Sequence, residues 1–143
     1  MKKVIALYAS ADKGKTTTLN KLIDLLSLIS DYYEICRSDE GWAYFEIRGL
    51  KVVVCTPGDS KVEVKENIKF SQKYECDIFV TATRTKGETT REMERFTNKK
   101  DVNLVWIKKD TDEQVNNLFA ANIFNLIVKE IDYDFSSYVF DTK

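Results

Sequence analysis

The sequence predicts a three-layer α/β domain, with helices on both faces of a mainly parallel sheet of about five or six strands. Three observations carry that expectation. Short runs at 4–8, 51–55, 77–82 and 102–107 are largely apolar on both potential faces, as strands inside a covered parallel sheet must be. Between them lie segments long enough for helices, whose apolar residues recur at three and four positions. Right-handed crossovers between parallel strands then put helices on both faces, and no linker or repeat divides residues 1–143, which read as one domain.

The first strand, Val4-Ile5-Ala6-Leu7-Tyr8, leads through a polar turn into a helix over 16–30, where Leu19, Leu22, Ile23, Leu26 and Ile29 form one face and Leu25 and Leu28 widen it. Residues 32–36 suit a second strand. In 42–48, Ala43, Phe45 and Ile47 alternate with Trp42, Tyr44 and Glu46, which fits a strand near a sheet edge. Gly49 and Leu50 then turn the chain into a hairpin with 51–55, and Thr56-Pro57-Gly58-Asp59 ends that strand. Ser60 followed by Glu63 has the form of a capping box, opening a polar helix through Lys73 with Val64, Ile68, Phe70 and Tyr74 for its buried side.

The strand at 77–82 precedes a short charged helix over 88–98 anchored by Met93 and Phe96. After the strand at 102–107 and the exit loop Lys108-Lys109-Asp110, a helix of about five turns begins near Thr111 or Asp112. Its periodic set is Val115, Leu118, Phe119, Asn122, Ile123, Leu126 and Ile127. The tail over 131–143 either packs across the surface or adds an edge strand.

A net charge of -1 and a pI near 5.6, with no long basic block, weigh against nucleic acid as the main partner. No signal-peptide pattern opens the chain, and no apolar run approaches the roughly 18 to 20 residues of a membrane span, so a soluble cytoplasmic protein is expected. The absence of histidine excludes His-dependent acid–base chemistry. Cys36, Cys55 and Cys76 are widely spaced beside apolar runs and read as small buried hydrophobes; a zinc site would need a carboxylate as its fourth ligand.

The chemistry-bearing segment is Ala9-Ser10-Ala11-Asp12-Lys13-Gly14-Lys15-Thr16, between the first strand and the first helix. In that context a loop can wrap backbone N–H groups, including those of Ala11, Asp12 and Thr17, around a phosphate at a helix start where N–H groups lack partners. Gly14 gives close backbone approach, Lys15 reaches the β- and γ-phosphates, Thr16 offers a hydroxyl to magnesium, and Lys13 adds charge at the rim. The competing reading is a solvated turn capping a helix.

On these residues the chain resembles the P-loop nucleoside triphosphatases, and its layout is most similar to the small GTPase-like and ParA-like ATPase branch. The resemblance spans 4–127 in element order, but in motif only 9–18 and, loosely, 52–59. It departs from the family at several points: Ala9 stands for the first glycine, and Cys55-Thr56-Pro57-Gly58 lacks the magnesium-supporting aspartate at Cys55. The resemblance implies that Gly58 meets the γ-phosphate, and that Asp59 either contacts magnesium through water or caps the next helix. Asp39 and Glu40, in the region of a switch loop, orient water or assist magnesium, or else sit in a solvated loop.

Thr83-Arg84-Thr85-Lys86 lacks the guanine-reading motif, which implies adenine or relaxed base recognition, with Arg84 and Lys86 stacking on a base or touching phosphate. Ser10 replaces the second lysine of the ParA-like form, so its sandwich dimer is not implied, although Thr17 and Thr18 keep the threonine-rich start.

The resulting expectation is magnesium-dependent nucleoside triphosphate binding with slow hydrolysis, ATP preferred over GTP, and catalytic roles for Lys15, Asp59 and Asp39. Two alternatives stand beside it. One is a nucleotide-dependent interaction module without turnover, with a protein partner or a homodimer; Trp42, Tyr44 and Phe45, on an edge strand, either meet a partner or are ordinary half-buried sheet aromatics. The other is a small-molecule kinase whose lid carries Arg84, Arg91 and Arg95.

Overall fold

A computed structural model describes the backbone of residues 1–9, 14–36, 41–85, 87–109 and 116–141, and within the last segment the side chains of 118–131. The elements are β1 (Lys3–Tyr8), α1 (Lys15–Ile29), β2 (Tyr32–Cys36), β3 (Trp42–Ile47), β4 (Leu50–Cys55), α2 (Lys61–Lys73), β5 (Ile78–Thr83), α3 (Glu88–Lys100), β6 (Asn103–Lys108) and α4 (Asn116–Asp141). They form one six-stranded sheet in the order β2-β3-β4-β5-β1-β6. From β4 through β5 and β1 to β6 every pairing is parallel, while β2 and β3 add an antiparallel wing. The mixed, mostly parallel α/β sandwich follows from the sequence pattern.

Alternation along β1 explains the layers. Ile5 and Leu7 face one core with Leu19, Leu22, Ile23 and Leu26 of α1 and Ile123 and Ile127 of α4. Val4 and Ala6 face the other, with Val64 and Ile68 of α2 and Met93 of α3. Every one of those side chains is buried, so β1 must be apolar at consecutive positions. The β3–β4 hairpin turns through Arg48 (φ 50°) and Gly49 (φ 85°), the pair of left-handed residues that a tight two-residue connection requires. Ser60 caps α2 reciprocally: its hydroxyl accepts from the Glu63 N–H, and the Glu63 carboxylate accepts from the Ser60 N–H.

Four expectations change. Leu28 and Ile29, at the last turn of α1, and Leu118 on α4 are exposed and lie off the buried faces of their helices. The tail does not form an edge strand: α4 continues to Asp141, with Ile131 buried one turn beyond Ile127, while β2 and β6 hold the two edges of the sheet. The expected start of that helix, at Thr111 or Asp112, lies outside the described residues. Nor is β3 an edge strand offering Trp42, Tyr44 and Phe45 to a partner, because β2 pairs along it and Tyr44 and Phe45 are buried. Trp42 packs against Phe70 with ring centroids 4.4 Å apart, and Tyr44 stacks on Tyr74 at 4.3 Å. Finally, Cys55 and Cys76 are buried as expected, but Cys36, at the end of the edge strand, is only half-buried.

The wing is closed by internal polar contacts. Tyr74 and Tyr32 both donate to the Glu34 carboxylate, at 2.5 and 2.7 Å, and Tyr44 donates to Glu46 at 3.0 Å. The first two bonds hold the Glu34 carboxyl below its ordinary value, and the Tyr74 phenol is pushed up to about 12, chiefly by the same bond.

Candidate functional site

The strand order itself creates a crevice. The helix after β1 covers one face of the sheet, whereas those after β4 and β5 cover the other, so the chain diverges at the carboxyl ends of β1, β4 and β5. Ala9 extends β1 there, its N–H donating to the Thr83 carbonyl at 3.3 Å. Ala9 is buried and is not among the residues with positive φ, so alanine fits where the resemblance has glycine. Gly14 precedes α1 in the left-handed region (φ 78°, ψ 21°), a conformation that a side chain would oppose.

Lys15, the first residue of α1, is 6% exposed. Its ammonium bridges the crevice, donating to the Ala9 carbonyl at 3.2 Å, the Thr83 carbonyl at 3.0 Å and the Asp59 carboxylate at 2.8 Å. One cation thus ties together the ends of β1 and β5 and the loop after β4. Asp59 is half-exposed, and the Arg84 guanidinium lies 3.8 Å away on its outer side. Asp59 does not cap α2, since Ser60 does; its carboxylate belongs to the rim. A cavity of about 320 Å³ opens beside it, lined by Asp59, Ser60, Lys61, Arg84, Glu88 and Thr89.

Gly58 has a packing reason of its own. A Cβ there would lie 2.1 Å from the Ala82 carbonyl oxygen, so only glycine lets the loop after β4 approach β5 this closely. That approach carries Asp59 to Lys15. Asn67 of α2 supports the same loop, donating to the Pro57 carbonyl at 2.7 Å.

The structure therefore brings Gly14, Lys15, Gly58, Asp59 and Arg84 to one rim, with Thr16 and Thr17 exposed in the first turn of α1. Thr18 points inward, its hydroxyl buried without a hydrogen-bond partner among the described residues. Ala11, Asp12, Lys13, Asp39, Glu40 and Lys86 lie outside the described residues. Arg95 does not face this cavity: it pairs with Glu92 at 2.7 Å and lines a groove between α2 and α3. Cys55, where the resemblance would place an aspartate, is buried, and burial pushes its thiol well above the ordinary value.

One basic residue near the rim was not singled out by sequence. Lys109, just after β6, donates its N–H to the Tyr8 carbonyl, is 3% exposed, and sets its ammonium 5.2 Å from the Phe119 ring centroid. A lysine in a charged exit loop carries no sign of burial in its own sequence context.

Among the described residues no group of three or more Cys, Asp or Glu side chains is placed to hold a metal ion, and no helix is long and apolar enough to cross a membrane. No family model, curated protein or solved structure matches the chain.

Proposed function

We propose that the rim between β1, β4 and β5 is a P-loop-like site for a magnesium nucleoside triphosphate, preferring ATP over GTP and hydrolysing it slowly. The observation that carries this reading is Lys15: a buried ammonium at a helix start, directly after a left-handed glycine, held at the crossover point of the sheet. A lysine serving only to cap a surface helix would stay in water, where its charge costs nothing to solvate.

Lys15 as it stands is fully engaged, so an entering phosphate has to share it with Asp59. The two anions repel each other across one ammonium. Magnesium fits this donor set: Thr16 offers a hydroxyl and Asp59 a carboxylate, both hard oxygen donors, and phosphate oxygens and water would complete the shell. When bound, the ion neutralises phosphate charge and makes the γ-phosphoryl more electrophilic. Lys15 then stabilises the transferring oxygens, while Arg84, on the open side of Asp59, contacts phosphate or stacks on a base. Base preference rests on the 83–86 loop, which lacks the carboxylate that reads guanine.

A second reading, binding without turnover, draws on Cys55. A buried, protonated thiol replaces the carboxylate that would steady the metal, which favours a nucleotide-dependent interaction module over an efficient enzyme. Calorimetric titration with ATP and GTP, each with and without magnesium, on the native chain and on Lys15→Ala tests the site. Magnesium-dependent binding that favours ATP and is lost in a folded Lys15→Ala supports it. Equal affinity in that variant overturns it. Phosphate release over several turnovers separates the enzyme from the module.

A further inference from the structure

We infer that the groove between α2 and α3 is a docking slot for a short acidic segment of a partner protein. It is separate from the rim: its walls are helix sides that cover the sheet face, and it shares no residue with the cavity at Asp59. Its volume is about 350 Å³, and it continues through Gln72, Phe96 and Lys100 into a second cavity of about 430 Å³ that reaches Met1 and Val102.

The lining is the reason for the assignment. Lys65 and Lys69 stand one turn apart on α2, and Arg95 and Lys99 stand one turn apart on α3, with Lys100 beside them. Each ladder has a step of about 6 Å, set by the helical rise. The chain as a whole carries a net charge of -1, so this concentration is local. Among the described residues Glu92 is the one acid lining this groove, with Glu75 in the cavity beyond, and Glu92 already holds Arg95 at 2.7 Å. Lys69 has only a long contact of 3.8 Å to Glu66. Two facing rows of cations on closely packed helices repel each other, and a carboxylate between them removes that repulsion.

Two features favour a protein segment over nucleic acid. The floor is apolar, formed by Ile68 and the half-buried ring of Phe96, which gives an apolar side chain somewhere to sit between flanking carboxylates. Exposed Glu66 and Glu94 lie on the same two helices and repel a long polyanion that tracks beyond the slot. Carboxylates at i and i+4 of a helix, or at i and i+2 of an extended segment, repeat at close to the spacing of the lysine ladders.

The test is fluorescence anisotropy with a labelled synthetic peptide of alternating Glu and Leu blocks. A Lys/Leu peptide of equal length and a labelled DNA oligonucleotide, single-stranded and duplex, are run beside it. Binding of the Glu/Leu peptide is expected to weaken as salt rises from about 50 to about 300 mM. Lys65→Glu combined with Lys99→Glu is expected to weaken it about tenfold or more, and Lys129→Glu, on α4, to leave it unchanged. The milder Lys65→Gln with Lys99→Gln, expected to show a smaller loss in the same direction, guards against a folding defect in the reversal variant. Absence of Glu/Leu binding, equal loss in Lys129→Glu, or DNA binding that is tighter and depends on the same lysines would each overturn the assignment. Because no residue lining the groove lines the rim cavity, the result is independent of whether ATP binds.

Discussion

The rim at the ends of β1, β4 and β5 and the antiparallel wing of β2 and β3 both hold charged groups among neutral donors and acceptors, but they satisfy them differently. In the wing, the Glu34 carboxylate takes two phenol hydroxyls, and the aromatic rings of Trp42, Tyr44, Phe70 and Tyr74 close over one another. The Glu34 and Glu46 carboxylates there take their donors from within the fold. At the rim, a buried ammonium leans on two backbone carbonyls and on a carboxylate that is half in water. The carbonyls are fixed by the sheet, whereas the carboxylate can be traded. The anion site proposed for the rim would draw on that asymmetry, with one rigid anchor and one exchangeable partner.

Three substitutions probe the contrast. The largest effect is expected from Gly58→Ala, where the new methyl meets backbone atoms of Ala82 that cannot give way. Denaturant unfolding should show a loss of about 3 kcal/mol or more, because overpacking against a fixed strand forces the loop outward. A loss under about 1 kcal/mol would mean that the loop after β4 adapts freely, and that Asp59 is not held against Lys15 by this approach.

Next is Lys15→Met, which keeps the stem and removes the ammonium. The Asp59 carboxylate regains water, but the Ala9 and Thr83 carbonyls lose a donor in a buried place. The expected cost is about 1–3 kcal/mol in the same measurement. A gain in stability would show that the rim is held together by its strands alone.

The smallest effect is expected in the wing. Glu34 is held below the ordinary carboxylate value, so its contribution is complete at neutral pH and is lost as pH falls through that lowered value. In melting curves taken from neutral pH down to about pH 3, the native chain should lose more of its melting temperature than Glu34→Gln does. Parallel curves for the two would place the acid dependence elsewhere.

Much of the fold was legible because its signals are local. Consecutive apolar residues in β1 and β5, the Ser60 and Glu63 cap, and the three-and-four spacing of α1 each follow from the backbone geometry of their own element. What escaped depends on neighbours distant in sequence. The alternation in β3 looks like an edge strand, and only the pairing of β2 along it and the packing of Phe70 and Tyr74 bury its aromatics. At the site, the sequence marked Gly14, Lys15, Gly58, Asp59 and Arg84, which the fold brings to one rim. It did not indicate that Lys15 would grip the Ala9 and Thr83 carbonyls, because main-chain acceptors have no residue signature. Lys109 was hidden for a related reason: two adjacent lysines read as solvated, and burial of the second comes from β1 and α4.

The placement of β1 has a consequence for how the molecule assembles. Its two lateral partners, β5 and β6, are translated some seventy to one hundred residues after it, and both of its edges need them. β1 is therefore synthesised well before either of the strands that flank it. Until they arrive it is an apolar segment with unpaired amides on both flanks, open to mispairing during synthesis.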